Sequence, residues 1–153
     1  MELWQQIESG FVAEQTKREA ASIIAAKLLH HLDGGVNDPA AWERLARRLG
    51  IIVSKLSSIG ARRGYSVLVS GLGYSEPNVF GDSGLVCGKI FVNDTQGDKE
   101  LCEVWVHELA HLFFAAWIPP QLSSRADTYS YDGDDKENVS HEIARMVESI
   151  ILG

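Results

Sequence analysis

Five consecutive residues, His107-Glu108-Leu109-Ala110-His111, combine types and spacing that suit a metal-activated water. Histidines four apart lie on one face of a helix, one turn from each other. Two imidazoles so placed can reach a single ion at about 2.0–2.1 Å. Glu108 follows the first of them and can take a proton from water at the open coordination position, and zinc lowers the pKa of that water to about 7. The motif acquires this meaning only on a helix. The sequence predicts one from Asp98, a capping residue type, to about Trp117, where Pro119-Pro120 prevents continuation.

A catalytic zinc needs a third protein ligand and a free fourth position. The chain has five histidines, and His30 and His31 close the first predicted helix, where cationic side chains suit the negative end of the dipole. The third donor is therefore expected downstream of His111, among Asp127, Asp132, Asp134, Asp135, Glu137, His141, Glu142 and Glu148. Glu137 leads this set because it opens the last predicted helix with His141 four residues on, on the same face. His141 can then orient a liganding imidazole, face a reaction oxyanion or itself ligate. Glu142 points about 100° away from His141. Tyr129 and Tyr131 lie between the two helices that carry the ligands, and either phenol can donate to a tetrahedral oxyanion. The acidic run between Asp127 and Glu137 reads as a solvated loop, and its spacing is wrong for a calcium-binding loop. Gly81-Asp82-Ser83-Gly84 resembles a short piece of a serine-protease signature, but the chain lacks the many strands of that fold. Gly71-Leu72-Gly73 opens no predicted helix and is no phosphate loop.

The elements that must position these residues follow from periodicity and punctuation. Residues 2 to 32 read as helix, with a break expected near Gly10, and Asp33-Gly34-Gly35 ends it. Asp38 caps a second helix, Pro39 suits its first turn, Trp42, Leu45, Ala46 and Leu49 form its apolar stripe, and Gly50 stops it. Arg44, Arg47 and Arg48 read as its wet face. Ile51 to Val53, Tyr65 to Val69 and Leu85 to Val92 read as strands, and Gly71 to Gly84 as a loop. A last helix runs from about Lys136 to Leu152. The order predicts an α+β fold in which helices pack on a small three-stranded sheet.

The 153 residues suit one domain, 45% hydrophobic and 23% charged, with a core that needs no staples. A net charge of −7 argues against general affinity for nucleic acid, so no direct nucleic-acid binding is expected. The N-terminus lacks a basic segment followed by an apolar run, and the apolar stretch from Ala20 to Leu29 is broken by Ser22 and Lys27; neither a secretory signal nor a membrane span is expected. Cys87 and Cys102 form no CxxC pair and no disulfide framework, which favours a reducing cytoplasm; Cys102 reads as core filling.

Lys89-Ile90-Phe91-Val92-Asn93, a short turn, and Val104-Trp105-Val106-His107-Glu108-Leu109-Ala110-His111-Leu112 resemble the ImmA/IrrE family of HExxH peptidases. The stretch from Trp42 to Ile51 is similar to that family's helix leading into its first strand. The resemblance covers roughly residues 40 to 152 and leaves 1 to 38 as a helical extension, too short for the helix-turn-helix domain that many members carry. It implies a zincin-like fold, with an active-site HExxH helix and a C-terminal glutamate helix. It also implies a Zn²⁺ ion and a gluzincin ligand set of His107, His111 and Glu137. Ser140, His141 and Ala144 fall where the family has a small residue, an Asn or Asp, and Ala, so His141 is a departure. Members often cleave a repressor, which makes a protein substrate, such as a transcriptional regulator, the expected partner. The rival expectation is an acidic regulatory or anti-restriction binding protein in which zinc serves structure only.

Overall fold

The computed structural model describes residues 5–6, 11–55, 65–67, 89–92, 94–117 and 139–153. Among the described residues, helices α1 (Glu14–His31), α2 (Pro39–Arg48), α3 (Asp98–Trp117) and α4 (Val139–Leu152) accompany strands β1 (Ile52–Lys55), β2 (Tyr65–Val67) and β3 (Lys89–Val92). The fold is α+β and mostly helical.

The helical stretch expected over residues 2 to 32 is interrupted, as expected near Gly10: Gln5 and Gln6 are helical, residues 11–13 are not, and α1 begins at Glu14. Gln6 ties the two sides together. Its Oε1 accepts the backbone N–H of Ala13 at 2.8 Å, and its Nε2 donates to Thr16 Oγ1 at 2.9 Å. One preceding side chain thus satisfies a donor at the helix entry, the service a capping residue usually supplies locally. At the other end, Arg44 Nη2 donates to the carbonyl of Asp33 at 2.9 Å, and Arg48 Nη2 donates to that of His31. Arg44, Arg47 and Arg48 are exposed, as expected for the wet face of α2, and two of them also satisfy carbonyls at and just beyond the C-terminus of α1. Gly34 takes φ +138, and a Cβ there would come within 2.8 Å of Ala41 Cβ, so the turn into α2 requires glycine.

α2 forms as its sequence dictates. Asp38 accepts from Ala40 N–H at 3.1 Å, Pro39 occupies the first turn, and Gly50 leaves at φ +85. Trp42, Leu45 and Ala46 are fully buried, and Trp42 Nε1 donates to Val36 O at 2.8 Å.

β3 pairs with both other strands, in the order β1-β3-β2. It runs parallel to β1, with Val53 opposite Ile90, and antiparallel to β2, with Ser66 opposite Ile90. Ile90 and Val92, two apart and therefore on one face, are both buried.

α3 is the centre of the core. Trp105, Val106, Leu109, Ala110, Leu112, Phe113 and Phe114 are each at most 1% exposed. A helix apolar on every side must be surrounded, and α3 contacts α1, α2, α4, β2 and β3. Gly97 rather than Asp98 stands at its cap position, because Leu101 N–H donates to Gly97 O at 2.9 Å; Asp98 and Glu100 place negative charge in the first turn. α4 packs on α1 and α3. Its buried residues, Ser140, Ile143, Ala144 and Val147, recur at helical spacing. Among the described residues no helix is long and apolar enough to cross a membrane.

Candidate metal centre

His107 and His111 project from the middle of α3 toward α4. His111 is 3% exposed and the side chain of His107 is 19% exposed. Their Nε2 atoms converge to 3.0 Å. On the other side of each ring, α4 supplies a partner. His107 Nδ1 lies 2.6 Å from Glu148 Oε2, and His111 Nδ1 lies 2.6 Å from Ser140 Oγ. An ionised carboxylate only accepts, so opposite an ionised Glu148 the His107 proton lies on Nδ1. Ser140 Oγ accepts likewise when the His111 proton is on Nδ1. Both Nε2 lone pairs then face one point.

That arrangement is what a shared cation needs. Two imidazole nitrogens on a tetrahedral ion at about 2.05 Å stand about 3.3 Å apart, close to the separation found. Without a cation the contact is satisfied only by a proton shared between the two nitrogens. His141, one residue after Ser140, completes a cluster in which His107, His111 and His141 each offer a ligand atom within 4.8 Å of the others. Its ring centroid lies 4.8 Å from that of His107 and 5.9 Å from that of His111. Tetrahedral ligation at the same bond length would draw the longest of these donor separations in by about 1.5 Å, within reach of small side-chain rotations. Three histidines and an open position are one of the ligand sets of catalytic zinc.

Glu108, the residue expected to act as base, is 6% exposed, and its Oε2 is shut off from solvent, as is His141 Nε2. Glu142, weighed in the sequence as a third ligand, instead forms an ion pair with Lys17 of α1. Glu148, weighed for the same role, holds His107 on the side of the ring away from the convergence point. Glu137, Tyr129 and Tyr131 lie outside the described residues, as do Asp127, Asp132, Asp134 and Asp135. His30 and His31 stand in the last turn of α1, as expected; burial, then the neighbouring His30, Lys27 and Arg48 charges, lowers the pKa of His31. Cys102 is buried, and desolvation, followed by the nearby Asp98 carboxylate, pushes its thiol up to about 11, which makes it a poor nucleophile and fits its reading as core filling.

Sequence reasoning missed the roles of Ser140 and Glu148. A signal for both exists. Positions 140, 143, 144, 147 and 148 form one stripe of α4, and Ser140 and Glu148 are the polar interruptions in it. Comparison with protein-family models, with curated proteins and with solved structures finds no match to this chain.

Proposed function

We propose that the chain is a zinc-dependent endopeptidase of zincin-like fold, in which His107, His111 and His141 hold the metal and Glu108 is the catalytic base. The single observation that carries this reading is the convergence of the His107 and His111 Nε2 atoms at 3.0 Å, with both Nδ1 atoms engaged by α4. The HExxH sequence supplies the same two histidines independently, and its glutamate has no role in a site that merely stores metal. Zinc, when bound, polarises the scissile carbonyl and lowers the pKa of water. Glu108 accepts the proton from the attacking water at its carboxylate and passes it to the leaving amine. Burial of Glu108 keeps that proton away from bulk solvent.

The resemblance to ImmA/IrrE peptidases supports a protein substrate, such as a transcriptional repressor. It also keeps Glu137 as the competing third ligand, with Tyr129 or Tyr131 as oxyanion donor. Metal content decides between the two ligand sets. His141→Ala should lose zinc while Glu137→Ala retains it; the reverse pattern returns the site to the gluzincin set and leaves His141 to position or stabilise. Glu108→Gln should keep the metal and slow cleavage of a peptide library by about 10²- to 10⁴-fold. A variant that cleaves at the wild-type rate removes Glu108 as the base, and a wild type that binds zinc yet cleaves nothing favours the structural-zinc alternative.

A further inference from the structure

We propose that Glu148 is a positioning residue of the metal site, which fixes the tautomer and orientation of His107 from outside the ligand set. The proposal rests on the metal reading above. Imidazole has two nitrogens, and only the one without a proton can ligate. A carboxylate 2.6 Å from Nδ1 holds the proton there and leaves Nε2 to the metal. It also raises the donor strength of the ring, since the negative charge stabilises positive charge that ligation draws onto it. Ser140, fully buried, makes the equivalent contact to His111 with a neutral oxygen. The two histidines are therefore held unequally: a carboxylate beside the more exposed one and a neutral hydroxyl beside the buried one. Both partners come from α4, so the docking of that helix on α3 and the geometry of the proposed metal ligands are one event. Glu148 also borders a surface depression of about 360 Å³, lined by Glu103, Arg145, Ser149, Leu152 and Gly153 beside it.

The test is zinc affinity by competition with a chromophoric chelator, together with the visible spectrum of the cobalt(II)-substituted protein. Full-length wild type, Glu148→Gln, Glu148→Ala and Glu103→Gln are compared. Glu148→Gln retains an acceptor oxygen but no charge, and it should weaken zinc binding about 10-fold; Glu148→Ala should weaken it toward 100-fold. Both should shift the cobalt spectrum, and both should keep the far-ultraviolet circular dichroism of the metal-free wild type. Glu103→Gln removes a carboxylate from the same depression and should change neither affinity nor spectrum. Equal affinity in wild type and both Glu148 variants overturns the positioning role. So does an equal loss in Glu103→Gln, which would make the effect one of general charge. A wild type that takes up neither zinc nor cobalt overturns the metal reading itself, a distinct result.

Discussion

At the scale of single residues, the site divides into a part fixed by chemistry and a part fixed by packing. His107, Glu108 and His111 are legible in the sequence because the proposed metal chemistry asks for those types and the helix sets their spacing. Glu148 and Ser140 are far less so: their contacts with His107 and His111 exist only because α3 and α4 run in opposite directions, which no local pattern states. His141 was visible as a neighbour of the site, but its place in the cluster depends on the same docking. Removing one metal ligand leaves too few donors for a tetrahedral site, so His111→Ala should retain no zinc through gel filtration, measured by elemental mass spectrometry. Loss of a positioned general base costs about 10²- to 10⁴-fold in rate. Glu108→Gln should therefore slow cleavage by that factor with zinc content unchanged, as read by single-turnover peptide hydrolysis.

At the scale of elements, α2 was read almost residue for residue, because its start and stop signals are local. Asp38 to Ala40 is a side chain bonding a backbone donor two residues on, and Asp38→Ala should cost about 1 kcal/mol in urea unfolding. The break before α1 was legible from Gly10, but the side chain that satisfies its entry was not, since Gln6 reaches across an intervening segment to Ala13 and Thr16. Glu43 links two elements: its carboxylate accepts from Arg47 on its own helix at 3.0 Å and pairs with Lys55 of β1 at 2.8 Å. Burial would raise its pKa, but the hydrogen bonds and charges of Lys55 and Arg47 outweigh that and hold it below the ordinary 4.5. A depressed folded-state pKa means stability present above pH 4.5 and lost as pH falls through the lower folded value. Glu43→Gln should thus be less stable than wild type by about 0.5–1 kcal/mol at pH 7, and the difference should shrink below pH 4.5. Thermal melts of the two chains at pH 7 and pH 3.5 read this directly; a constant gap would contradict it.

At the scale of the whole molecule, the α+β class was legible from the order of apolar patterns, whereas the burial of α3 on nearly every side was not drawn from its sequence. The strand order β1-β3-β2 was not, because pairing of β1 with β3 across an intervening strand is a long-range choice that short apolar runs do not encode. The histidine cluster joins α3 to α4, and α4 also packs on α1, where Glu142 meets Lys17. Ligand binding to the folded state alone stabilises it by about 2.7 kcal/mol at a free concentration of 100 Kd. For a chain of this size that corresponds to about 5–10 °C in Tm. Zinc should raise the melting temperature of wild type by that amount and leave His111→Ala unmoved, in scanning calorimetry with and without the metal.

The most direct measurement is the zinc content of purified wild type, His107→Ala and His111→Ala by elemental mass spectrometry after reconstitution and desalting. The convergence of the two Nε2 atoms predicts about one zinc per chain in wild type and almost none in either variant. A wild type that holds no zinc, or variants that hold as much as wild type, would contradict the metal centre on which the peptidase reading stands.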